Sequence, residues 1–336
     1  MKVFISSCLK TSESLWGGEI KRMAEFCKNP STVFTDSPTE ADLILIVDIH
    51  PRFAFVNLRE NQIWKKFPEK SFAIYEGDDP PNFLHGLFAS VPQKWLKSGR
   101  FASCAYPIHK LVYPNPIPIF HKPIDKNFLF SFAGRNCNSV RDRLFNTHFP
   151  KDVHLEDTSE YYHFEAQDTK GILRQKRYWE MACQSKFVLC PRGRGFSSIR
   201  LFEMMELGIA PVVISDQWTP PHGPDWDNFC LRIPESKLSS IYEIIKSHES
   251  EWEFRGKQAK EAYEKFFAPD AYWNFIVDSI NFIQTQQKVS ERSYCRLVPI
   301  KSLALKLQHA NDQVIIKLKK RIRIIFKMIS GKKTYK

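Results

Sequence analysis

One stretch of this sequence, KFVLCPRGRGFSSIRLFEMMELGIAPVVISD from Lys186 to Asp216, leaves little freedom in what the chain can fold into. It reads strand, glycine-bearing loop, helix, strand. Lys186 to Cys190 is short and apolar, as a buried strand should be, and Pro191 ends it. Arg192, Gly193, Arg194 and Gly195 form a loop with two flexible positions and two cations. Ser197 or Ser198 is placed to cap a helix, which runs to about Leu207 and is stopped by Gly208. Ile209 to Ile214 is a second apolar strand.

A glycine loop feeding a helix N-terminus is an anion site, because unpaired amides and the positive end of the helix dipole both face the ligand. Arg200 and Glu203 are three apart and share a helix face. A cation for phosphate and a carboxylate for ribose hydroxyls is the pairing a nucleotide-sugar needs. Glu203 is the expected ribose ligand, with Glu206 on a different, solvated side. The plainer reading is an ordinary βαβ unit with a basic surface loop, Arg200 pairing with Glu203 or Glu206.

The rest of the chain alternates in the same way. Strands are expected at Val3–Ser6, Val33–Thr35, Leu43–Val47, Phe72–Tyr75 and near Phe101–Tyr106, with helices at Gly18–Cys27 and Phe55–Lys66. Tyr113 to Asp125, YPNPIPIFHKPID, has four prolines in ten positions and is read as a linker. A second series follows: strand Phe128–Ala133, helix Val140–Asn146, a strand near His154, helix Ile172–Gln184, the glycine-loop unit, a strand at Cys230–Ile233, and helices across Leu238–Phe267 and Ala271–Gln284. Alternation at this spacing argues for parallel sheets covered by helices. The expected fold is α/β with two Rossmann-like domains, 1–120 and 121–287, a cleft between them, and a basic tail at 288–336.

The glycine-loop segment resembles the exostosin family of glycosyltransferases, whose phrase F-x-L-x-P-x-G, S-x-R-x-x-E, G-x-x-P-V reads here FVLCPRGRG, SIRLFE and GIAPVV. DSPTEADLILIVD (Asp36 to Asp48), FLFSFAGR followed by Arg141, and WDNFCLRIP (Trp226 to Pro234) resemble further phrases of that family, in family order, over roughly residues 30 to 285. The resemblance implies a GT-B architecture and an inverting transfer from a nucleotide-sugar, read as a UDP-sugar, to a polysaccharide or lipid-linked oligosaccharide. It also implies that Arg135 lines the cleft beside the donor phosphates, with Arg192 and Arg194 as alternatives. Two rival readings are a GDP-sugar-dependent, fucosyl-type transferase and a non-catalytic glycan- or nucleotide-binding protein.

The base for the acceptor hydroxyl is sought in the first domain. Tyr75-Glu76-Gly77-Asp78-Asp79-Pro80-Pro81 follows a strand, whose carboxyl end faces the ligand crevice in open α/β sheets. Asp78, Asp79 and His85 are the candidates, against the alternative that this is only a turn. No metal is expected: Asp225-Trp226-Asp227 matches Asp-x-Asp but follows a Pro/Gly-rich loop, and the eight cysteines form no Cys-x-x-Cys pair and read as reduced thiols.

Charge sets the tail apart. Of 49 Lys/Arg and 37 Asp/Glu, 14 and 2 lie from Lys288 onward, leaving a body of 35 against 35. Gln313 to Ile329, QVIIKLKKRIRIIFKMI, reads as a basic amphipathic helix suited to an anionic membrane surface, or else packed on the body. A nucleic-acid partner is not expected, since the body is neutral and carries no nucleic-acid-reading motif. No run of eighteen apolar residues occurs and Val3 to Ser6 reads as a strand. The resemblance implies an N-terminal membrane anchor in animal members of the family; with none read here, the expectation is a cytoplasmic enzyme, which the basic tail would attach peripherally to the inner face of the membrane.

Overall fold

The computed structural model of the chain describes residues 1–8, 15–27, 31–49, 61–78, 84–106, 124–160 and 169–294. Met1–Lys288 forms one compact unit and Val289–Lys336 another. Asp79, most of the proline-rich linker and the tail helix lie outside the described residues.

The first unit opens with β1 (Lys2–Ser7), α1 (Leu15–Phe26), β2 (Val33–Phe34), β3 (Leu43–Val47), α2 (Gln62–Lys66), β4 (Ser71–Tyr75), β5 (Gly86–Phe88) and β6 (Phe101–Ser103). These strands form a parallel sheet in the order β2-β1-β3-β4-β5-β6. A second series comprises β7 (Phe128–Gly134), α3 (Ser139–Phe145), β8 (Val153–Asp157), α4 (Thr169–Cys183), β9 (Ser185–Pro191), α5 (Ile199–Leu207), β10 (Ala210–Ile214), α6 (Trp226–Phe229) and β11 (Leu231–Arg232). Its parallel sheet runs β11-β10-β9-β7-β8. Helices α7 (Ile241–Ser247), α8 (Trp252–Phe266) and α9 (Tyr272–Gln286) follow.

Sequence accounts for these elements directly. A parallel strand covered on both faces must be apolar at successive positions, and every residue of β3 (LILIV), β4 (SFAIY) and β10 (APVVI) is buried. Helix α5 ends where Gly208 takes the left-handed conformation at φ 71°. The strand the alternation misses is β5. It is three residues long, and Gly86, at φ 151°, presses its backbone onto that of Ala73, where a Cβ would lie 2.1 Å from the Ala73 carbonyl oxygen.

Two cores result. The larger joins the first sheet and α1 to Tyr106, α4, α5, α8 and α9, so the two sheets share apolar packing. The smaller lies between the second sheet and α3 and α7. Helix α9 packs against α1, β5 and β6, and Trp273 Nε1 donates to Thr32 Oγ1 at 2.8 Å.

His85 belongs to this framework and not to a site. It is fully buried, its ring stacks on Phe72 at 4.0 Å, and its Nε2 lies 2.7 Å from the Ser71 carbonyl oxygen. A general base must reach the proton it removes, so the expectation of His85 as a base is corrected. Asp225 heads α6 without a side-chain cap, and no cluster of three potential metal ligands occurs among the described residues. The seven cysteines described are all unpaired thiols.

Candidate functional site

Each sheet reverses its strand order once, the first between β1 and β3, the second between β7 and β9. In open α/β sheets, ligands bind outside the carboxyl ends of the strands at such a reversal. At the second, the chain leaves β7 through Arg135 to Asn138 and leaves β9 through Arg192 to Gly195.

Two side chains lock these exits together. Asn138 caps α3, its Oδ1 accepting from Val140 N (2.9 Å) and Arg141 N (3.1 Å). Its Nδ2 donates to the carbonyls of Arg192 (2.9 Å) and Gly193 (2.8 Å). The largely buried Arg141 reaches three carbonyls, on Arg192 (3.0 Å), Arg135 (3.1 Å) and Pro191 (3.1 Å). From α5, Arg200 donates to the Ala133 carbonyl, and its Nε is buried with no hydrogen-bond partner.

Arg141 and Arg200 lie over one aromatic ring, their guanidinium carbons 5.3 and 4.7 Å from the Phe132 centroid. Those two distances bound their separation at about 10 Å, so at an effective dielectric near 20 they repel by at least ~1–2 kcal/mol. Burial first, and Arg200 second, lowers the Arg141 guanidinium to about 10, which still leaves it charged near neutral pH. Neither forms an ion pair with a carboxylate among the described residues; both donate to main-chain carbonyls. Two adjacent, partly desolvated cations lie here with no carboxylate in ion-pair contact among the described residues, and the charge of Asp78 is felt by Arg141 only at a distance.

The first sheet closes the site from the other side. Ser90, just past β5, accepts from Phe196 N at 2.8 Å, and Ser215 Oγ donates to the Phe196 carbonyl at 2.8 Å. A Cβ on Gly195 would fall 2.3 Å from Ser90 Oγ and 2.8 Å from Asp78 Oδ1, so a larger residue would have to push both side chains aside. Asp78 is exposed at the carboxyl end of β4, and its charge acts on both Tyr106 and Arg141. The carboxyl ends of both sheets therefore meet at the Gly193–Ser198 loop.

Beside the loop, Tyr106, Ile199, Phe202, Glu203, Glu206 and Tyr263 line a small cleft. Glu203 is buried and accepts from Tyr178 Oη at 2.6 Å. Burial, then the Glu203 carboxylate, pushes the Tyr178 hydroxyl far up, so it remains a donor.

The expected site residues thus divide. Arg135, Gly193, Gly195, Ser197, Ser198, Arg200, Glu203 and Asp78 gather around the loop. Arg194 is exposed at its tip. Arg192 is occupied by Glu235, its Nε 2.8 Å from Oε1, so it stands as a structural ion pair and not as a phosphate ligand. Ser198 stands at the N-cap of α5 but makes no capping bond with its side chain. Arg200 bonds to main chain, not to Glu203 or Glu206. Glu206 was expected on another side, yet it lines the cleft with Glu203, as its three-residue offset allows. Arg141 as a clamp and Tyr178 as the partner of Glu203 were not anticipated.

The fold and site together define an α/β protein with a cationic, glycine-bearing loop at a strand reversal. Residues 108–248 match the family described as the Exostosin GT47 domain, and over that segment the chain is exostosin-like. The match spans β7 to β11 and the cationic loop; the phrase at Asp36 to Asp48 and the first sheet lie outside it. Exostosin-1 of Drosophila melanogaster is 27% identical over 183 residues, 45% of this chain and 24% of that protein. The Exostosin-1 homolog of Caenorhabditis elegans is 28% identical over 165 residues, 45% of this chain and 42% of that protein. The chain therefore spans less than half the length of these curated relatives. Among solved structures, an alpha1,3-fucosyltransferase with GDP-fucose covers 86% of this chain and 91% of its own at 11% identity, with a TM-score of 0.39.

Proposed function

We propose that this chain is a glycosyltransferase that moves a sugar from a nucleotide-sugar to a glycan acceptor. The observation that carries the reading is the pair of guanidiniums of Arg141 and Arg200 on Phe132 at the β7/β9 reversal. The leaving group of such a transfer is a nucleoside diphosphate, and preorganised cations where its charge develops lower the barrier. The loop amides at the N-terminus of α5 add donors to the same anion. The likeness to exostosins over residues 108–248 supports the same activity.

In this reading Arg135, Arg141, Arg194 and Arg200 hold the diphosphate, and Glu203 takes the ribose hydroxyls. Asp78, facing them from the first sheet, removes the acceptor proton as the sugar inverts. The guanidiniums supply the charge that a metal supplies in other transferases, so transfer proceeds without a divalent cation. The family resemblance favours a UDP-sugar; the site itself reads diphosphate and ribose and fits a GDP-sugar equally. The second reading, a binding protein without turnover, uses the same contacts but leaves Asp78 without a task.

Glu203→Ala should weaken UDP or GDP binding by about 1–3 kcal/mol, the loss expected for a hydrogen bond to a charged group. Calorimetry on the folded variant measures it. Affinity equal to that of the parent chain removes Glu203 from the site.

A further inference from the structure

We infer that Tyr178 is the positioning residue that couples the two halves of donor recognition, setting the ribose carboxylate and the phosphate cation from one side chain. The inference rests on the reading of Glu203 as ribose ligand. It concerns a residue on a different element, α4, about one turn from that helix's C-terminal end.

Three contacts carry it. The Tyr178 hydroxyl donates to Glu203 Oε2 at 2.6 Å, and both residues are buried. The face of the same ring lies 5.7 Å from the Arg200 guanidinium carbon. That guanidinium sits 4.7 Å from Phe132, so two rings flank it. One side chain therefore orients a carboxylate with its oxygen and helps to place a cation with its ring.

The arrangement has a chemical consequence. A carboxylate fixed through Oε2 is restricted in how it can turn, and its remaining lone pairs keep a defined direction. Ribose presents two adjacent hydroxyls, and a carboxylate reads such a pair well only when it is held still. Without the tyrosine hydroxyl, Glu203 keeps its charge but can rotate, or draw in water. Selectivity for the ribose hydroxyls should then fall more than affinity for the diphosphate, because Tyr178→Phe retains the ring beside Arg200.

The test is calorimetric competition on the full chain with UDP, GDP and their 2′-deoxy and 3′-deoxy forms. The parent chain should prefer at least one ribonucleotide over its deoxy form about tenfold, the value of one hydrogen bond to a charged group. Glu203→Gln should bring that preference close to unity, and Tyr178→Phe should do the same while affinity for inorganic pyrophosphate stays within about twofold. If Tyr178→Phe is too unstable to assay, Tyr178→Phe/Glu203→Gln removes the stranded carboxylate; it should match Glu203→Gln alone in its preference. A Tyr178→Phe chain that keeps the full ribose preference while Glu203→Gln loses it overturns the inference and leaves the ribose reading standing. A double variant whose ribose preference differs from that of Glu203→Gln also overturns it. A parent chain that never distinguishes ribo from deoxy forms ends both.

Discussion

Asp78→Asn should slow sugar transfer on the order of 10²–10⁴-fold, the usual contribution of a positioned general base, while nucleotide affinity rises slightly. The amide keeps the shape that packs against Gly195, where a Cβ would already lie 2.8 Å from Asp78 Oδ1. What it loses is the ability to accept a proton. The slight rise in affinity follows from charge: Asp78 acts on Arg141, so removing its carboxylate leaves the cation pair more attractive to an anion. A structural role predicts the reverse pattern, with binding and turnover falling together as the loop shifts. Steady-state rates at saturating donor, beside nucleotide titrations, separate the two. Unchanged turnover places the base on another residue.

Arg200→Ala should cost the nucleoside diphosphate about 100-fold in affinity, the upper part of the range for a hydrogen bond to a charged group. The buried setting places it there: Arg200 Nε has no hydrogen-bond partner, and its guanidinium is flanked by Phe132 and Tyr178. The corresponding nucleoside, lacking phosphates, should bind both chains alike. Arg141 is a poorer probe, since its guanidinium ties three carbonyls of the loops leaving β7 and β9, and its removal would also loosen the fold. Equal loss for nucleoside and nucleotide would mean that Arg200 supports the pocket wall and does not meet phosphate.

Much of this molecule is legible in its sequence because parallel strands buried on both faces write their positions as apolar runs. LILIV, SFAIY and APVVI fall in strands as expected. β5 escapes because three residues containing a glycine carry no run, and its place is fixed by backbone contact with β4. The loop is legible for a similar reason, since its residues are consecutive. Partners from distant segments are not. Glu235 takes Arg192 from 43 residues away, and Tyr178 reaches Glu203 across 25. Neither pairing has a spacing rule, because each depends on how the sheet sets its loops and covering helices side by side. Glu206 differs, since the three-residue rule that joined Arg200 to Glu203 also joined Glu203 to Glu206. His85 was misplaced because a polar residue after a strand end reads as exposed, whereas the Ser71 carbonyl and the Phe72 ring satisfy it inside the sheet.

Release of free UDP or GDP from a panel of nucleotide-sugars, followed with a glycan acceptor present and with excess EDTA, tests the transferase reading most directly. One nucleotide-sugar should release its nucleoside diphosphate in proportion to glycosylated product, undiminished by EDTA and strongly reduced in Asp78→Asn. Tight nucleotide binding with no release from any donor would contradict the transferase reading and leave a binding protein in its place. Release abolished by EDTA and restored by Mn²⁺ would contradict the guanidinium pair as the charge that drives departure of the diphosphate.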